Sequence, residues 1–162
     1  MNMGSLFPEV DVGATLQNVA HFLSVVLPKM VRISGQSMSD LKSPSYDGMP
    51  KSQPSGNATE SRIVRRLYAE EVVKRTIQAI KHCDKDCQNI LDELYLQELS
   101  DTMCFMDLGF SESSYFHVWK PKALLQFADC YMLDDLHIFK KSSFDAVWVQ
   151  FLCSRTAGTS HI

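Results

Sequence analysis

Between Glu60 and His82 the apolar residues Ile63, Leu67, Val73, Ile77 and Ile80 fall at near-helical spacing. The pattern predicts one long helix with Thr59 as its N-cap. Residues 12–31 carry Leu16, Val19, Ala20, Leu23, Val26 and Leu27 on a similar period. They predict a shorter helix, capped by Thr15 and bent or ended by Pro28. Residues 32–59 are rich in serine, proline and glycine, and their apolar residues are isolated. They read as a loop or linker with turns at Asp47-Gly48 and Ser55-Gly56-Asn57. A further helix is expected over 85–97, with Cys87, Ile90, Leu91, Leu94 and Tyr95 on its buried side.

The stretch Leu99 to Phe127, LSDTMCFMDLGFSESSYFHVWKPKALLQF, predicts two helices joined by a glycine turn. The first starts near Ser100, with Asp101 in its first turn where the helix dipole favours an acid. Gly109 suits the left-handed position that ends it. Ser111 reads as the next N-cap. The second helix is expected to run from Glu112 towards Asp134 and to kink or break at Pro121. Local pattern leaves two readings open: a DNA-reading helix-turn-helix, or two core helices that meet at a glycine. Beyond Lys141, FDAVWVQFLC reads as a short strand or packed tail, and SRTAGTSHI as a frayed end.

Composition narrows the function classes. A chain of 162 residues holds one moderate core, or a small domain with an arm. A net charge of -3 gives no whole-chain sign of a nucleic-acid binder. The charge is uneven: residues 60–99 hold eight acids and seven bases, and 100–135 six acids and two bases. On the long helix, Arg62, Arg65 and Arg66 stand near Glu70, Glu71, Lys74 and Arg75. They read either as a solvated, salt-laced face or as a phosphate-facing patch. No apolar run approaches a membrane span, and the start does not look like a signal peptide, so cytoplasm is expected. The five cysteines read as free thiols. Cys83 and Cys87 flank no second ligand pair that zinc would want. There is no nucleophile elbow, HExxH, Walker or dinucleotide motif, and the histidines are scattered. Neither an enzyme, a cofactor nor a small-molecule substrate is expected.

Several blocks add to this picture: LFPEVD, DLKSPSYDGMPKSQPSGNATESRIV (Asp40 to Val64), AIKHCD, and the run from Leu99 to Tyr131. Together they resemble the ArpU family of phage-type transcriptional regulators of Gram-positive bacteria, over roughly residues 5–135. The resemblance implies an all-α fold: an N-terminal helical segment at 1–35, a loop-rich linker at 36–59, a helical domain at 60–135 and a divergent tail at 136–162. Within the helical domain, 99–127 would be a helix-turn-helix similar in style to the promoter-reading domain of sigma factors. The implied function is sequence-specific regulation of late lysis or packaging genes. Double-stranded DNA is the expected partner, with RNA polymerase beside it.

On that reading Ser113, Ser114 and His117 contact bases, while Arg62, Arg65, Arg66, Lys120 and Lys122 contact phosphates. Leu99, Cys104, Phe105, Leu108, Gly109, Ser111 and Val118 build the two-helix frame. The chain departs from the family pattern in six places, of which Met103 and Met106 stand where polar residues are usual. Phe105 stands where a small residue is usual and is expected to overfill the crossing. Cys104 replaces a larger aliphatic, and Trp119 and Pro121 replace basic or polar residues. The alternative expectation is a protein-interaction module that keeps the helical fold with weak or lost DNA binding.

Overall fold

The computed structural model describes residues 9–41 and 60–140. Among them the regular elements are helical, apart from one isolated antiparallel bridge between Val10 and Phe139. The first helix, α1, runs in three stretches: Val12–His21, a widened turn at Phe22–Val26, and Leu27–Ser34. Asp11 caps it, accepting from the Ala14 N–H at 3.0 Å. Thr15, the cap expected from sequence, is instead fully buried inside the helix. Its hydroxyl oxygen accepts from the Ile138 N–H at 2.9 Å. Pro28 does not end the helix either. In the widened turn the Leu27 N–H reaches back to the Phe22 carbonyl, which eases the clash between the proline ring and the turn before it. The helix stops at Gly35, whose φ of 78° is the left-handed position. There the Gln36 N–H closes onto the Val31 carbonyl at 3.1 Å.

A short helix, α2, follows at Met38–Leu41, inside the stretch that reads as linker. Leu41 is buried there. Residues 42–59, with the DGMPKS block and Thr59, lie outside the described residues. So do 1–8 and 141–162, including FDAVWVQFLC and the last residues expected to fray.

Helix α3 spans Glu60–His82. Helix α4 covers Lys85–Leu91 and a widened turn at Asp92–Leu96. Helix α5 is Asp101–Asp107. The last helix, α6, again has three stretches: Glu112–Ser114, a widened turn at Tyr115–Trp119, and Lys120–Cys130.

The second half of α1 packs along α3, its first half packs on the end of α6, and α4 also packs on α6. Phe22 joins α1 to α6 through the rings of Phe127 at 6.1 Å and Tyr131 at 5.0 Å. The expected apolar stripe of α3 divides in two. Val73, Ile77 and Ile80 are buried, but Ile63 and Leu67 are exposed. A helix turns about 100° per residue, so Ile63, Val64 and Leu67 turn away from the stripe of Ala69, Val72, Val73 and Thr76, while Tyr68 stands at its edge and reaches Asp134.

The chain beyond α6 returns to α1. Leu136 is buried, and its carbonyl accepts from Asn18 Nδ2 at 2.9 Å. The Ile138 carbonyl accepts from the Asp11 N–H at 2.7 Å. Residues 136–140 therefore belong to the fold rather than to a separate tail.

Candidate nucleic-acid interface

The two helices α5 and α6 meet through residues 108–111. Ser100 caps α5 by accepting from the Met103 N–H at 3.3 Å. Gly109 ends it with φ 71°. The Phe110 N–H then bonds the Phe105 carbonyl at 2.9 Å, and the Gly109 N–H bonds that of Met106 at 3.3 Å. Nothing lies within 4 Å of a Cβ built on Gly109, so the left-handed backbone, not crowding, selects glycine. Ser111 caps α6 by accepting from the Ser114 N–H at 3.3 Å.

Cys104 and Tyr115 are fully buried at the crossing, Leu108 packs half-buried against the same core, and Leu99 is half-buried just before α5. Phe105 does not overfill it. Its ring is half-buried beside the crossing, 5.8 Å from Tyr115 and 6.4 Å from Phe116 between centroids. Val118 is not part of the frame and is 55% exposed. The widened turn at 115–119 brings Trp119 inward in its place, stacked on Phe110 at 4.8 Å.

Asp101 holds the pair together. It accepts from the Tyr115 hydroxyl at 2.9 Å, and Lys120 Nζ donates to both its oxygens at 2.7 and 2.9 Å. Burial, followed by hydrogen bonds with Cys104 and Asp101, pushes the Tyr115 hydroxyl well above the usual tyrosine range. Burial also pushes the Cys104 thiol up to about 11. The sequence marks Asp101 as a helix-start acid only, because its partners lie 14 and 19 residues away.

The phosphate candidates are therefore not equivalent. Lys120 is committed to Asp101. Lys122 pairs with Asp84 at 3.2 Å on the open surface, and that bond raises its pKa. Gln126 and Lys122 together hold the Asp84 carboxyl below the usual range. Arg66 bonds Glu70 at 2.9 Å and lies beside Gly35. Arg62 and Arg65 are exposed on the first turns of α3.

The base candidates Ser113 and His117 are exposed at the start of α6, and Ser114 is half-buried. The arginines sit elsewhere. Tyr68, close after them on α3, reaches Asp134 beyond the other end of α6. At about 1.5 Å per residue, His117 and Cys130 alone are separated by about 20 Å. The structure thus places the serines and histidine at one end of α6 and the arginines towards the other.

Between Asp92 and Glu112 the chain carries Asp92, Glu93, Glu98, Asp101, Asp107 and Glu112, with no lysine or arginine. The described cysteines are free thiols. Burial pushes Cys83 up to about 12, with Cys130 adding to it. No helix among the described residues is long and apolar enough to cross a membrane.

These features define a mostly helical protein whose last two helices meet at a capped glycine turn. No protein-family model matches the chain, and no solved structure matches it. It is similar to a protein of Enterococcus hirae named "Putative autolysin regulatory protein ArpU". The two are 28% identical over 128 residues, which span 78% of this chain and 92% of that protein.

Proposed function

We propose that the protein is a sequence-specific DNA-binding regulator of late phage or prophage genes, of the lysis or packaging class, working in the cytoplasm beside RNA polymerase. In this reading α5 and α6 form a helix-turn-helix. The observation that carries it is the pairing of a left-handed Gly109 with a Ser111-capped α6, which leaves Ser113 and His117 exposed on the first turns of the second helix. The name of the E. hirae relative, a regulatory protein, supports it.

Ser113 and His117 are the base readers, with Ser114 behind them. Lys122 is the nearest phosphate contact. Its pair with Asp84 is solvent-exposed and weak, and exchanges readily for a phosphate. Lys120 serves the frame first. Selection of bound duplexes from a random pool, then fluorescence anisotropy at several salt concentrations, tests the reading. Replacing Ser113 and His117 by Ala should narrow the gap between selected and scrambled duplexes. Lys122→Ala should weaken both and lower the salt slope by about one charge. A folded protein that binds no duplex at low salt overturns it.

A second reading is favoured by one specific feature. The segment 92–112 is acidic, and Met103, Met106, Phe116 and Val118 are 53%, 69%, 40% and 55% exposed around it. A protein-interaction module that keeps the fold without DNA would present such a surface.

A further inference from the structure

The ends of α3 and α6 each carry a cysteine, and the fold sets the two together. On α6, Lys122, Gln126 and Cys130 are spaced by four, so they share one face. That face meets the turn between α3 and α4. Gln126 Nε2 donates to Asp84 Oδ2 at 2.6 Å, and its Oε1 accepts from the Asp84 N–H at 3.1 Å. Lys122 pairs with the same carboxyl at 3.2 Å. One turn beyond Gln126, the thiol of Cys130 is in hydrogen-bond contact with that of Cys83, the residue before Asp84. The Cys83 thiol also donates to the Ala79 carbonyl at 3.3 Å.

Both thiols are free and half-buried, whereas Cys87 and Cys104 are fully buried. We propose that Cys83 and Cys130 are a redox pair, which a peroxide converts to a disulfide that fastens the end of α6 to the end of α3. The Cys130 sulfur attacks the peroxide O–O bond and becomes a sulfenic acid, and one water leaves. The Cys83 sulfur then displaces the sulfenic hydroxyl, which departs with the Cys83 proton as a second water. Two thiols lose two electrons in all, and the peroxide gains them. Burial holds the proton on Cys83, so its sulfur is the slower of the two towards a solute. Its standing contact with Cys130 makes the second step intramolecular.

The bond closes residues 83–130, a loop that holds α4, α5 and all of α6. Such a closure stabilises by restricting the unfolded chain, and it opposes any displacement of α6 from α3. Oxidation thus sets how freely the second helix of the glycine turn can move. Protonated, half-buried thiols react slowly, so the pair answers sustained oxidation rather than a brief pulse. The inference does not depend on DNA binding, because Cys130 lies at the opposite end of α6 from Ser113 and His117.

The test treats the folded, fully reduced chain with hydrogen peroxide, blocks the remaining thiols with an alkylating agent and maps the peptides by mass spectrometry without reduction. The map should show Cys83 joined to Cys130, with Cys87 and Cys104 still free. The thermal midpoint should rise by about 5 °C or more and fall back on adding dithiothreitol. In Cys83→Ala the rise should vanish, and dimedone should label the sulfenic acid left on Cys130. Cys153→Ser should change neither the map nor the midpoint. The map on the native chain decides even if a variant folds poorly. A bond from either thiol to Cys87, Cys104, Cys153 or a second copy overturns the inference. So does a Cys83–Cys130 bond that forms only in denaturant, or none at all after prolonged exposure.

Discussion

Asp101 accepts three hydrogen bonds from two side chains of α6, one of them from a tyrosine with no solvent exposure. An exposed ion pair is worth little, but a buried hydroxyl that loses its acceptor costs its desolvation. Asp101→Ala should therefore lower stability by about 1–3 kcal/mol, more than Lys120→Ala does. Tyr115→Phe should cost less in the Asp101→Ala background than in the native protein, because the bond it removes is already gone. Chemical denaturation of the four variants measures the coupling. Additive losses would mean that Asp101 and Tyr115 act separately.

The helix ends at Ser100, Gly109 and Ser111 were legible in the sequence because capping is local chemistry, whereas at the first helix Asp11, not Thr15, is the cap. Ser100, Gly109 and Ser111 each do what their residue type and position imply. Helix interiors were less so. Pro28 and Pro121 read as stops or kinks, yet each follows a widened turn through which the helix continues. That adjustment depends on what the helix docks against, which periodicity does not reveal. The same holds for Leu41, isolated in sequence but buried in the fold, and for Ile63 and Leu67, periodic in sequence but exposed. It holds for the candidate site as well. Exposure of Ser113 and His117 follows from their place after the cap, whereas the partners of Lys120 and Lys122 come from distant elements. Pro121→Ala restores a backbone donor and removes the ring, so the turn at 115–119 should tighten towards a regular helix. Trp119 would then leave its 4.8 Å stack on Phe110. In a Trp148→Phe background its emission should shift to the red. Unchanged emission would mean that packing, not the proline, sets the widened turn.

At the scale of the whole molecule, the segment after α6 ties the last helix to the first. The bonds from Leu136 and Ile138 to Asn18 and Thr15 span 118 and 123 residues, so no local pattern announces them. His137 latches this strap. Its Nδ1 meets Asp135 at 2.8 Å and its Nε2 meets Asp129, on the last turn of α6, at 3.0 Å. Burial works to lower its pKa, but the bonds and charges of Asp135 and Asp129 outweigh that and raise it above the ordinary histidine value. A raised histidine pKa means that the folded state holds the proton more tightly than the unfolded chain. The stabilisation is complete below the ordinary value of about 6.5 and is lost as pH rises through the raised one. Denaturant midpoints measured across this window should therefore fall with increasing pH. His137→Gln should lower stability at acidic pH and flatten the decline, since it keeps a polar side chain but binds no proton. Hydrogen exchange at Ile138, whose N–H is held by Thr15, should quicken over the same pH window beyond the intrinsic rise in exchange rate. If the His137→Gln protein shows the same pH slope as the native one, the proton is not what holds the strap against α6.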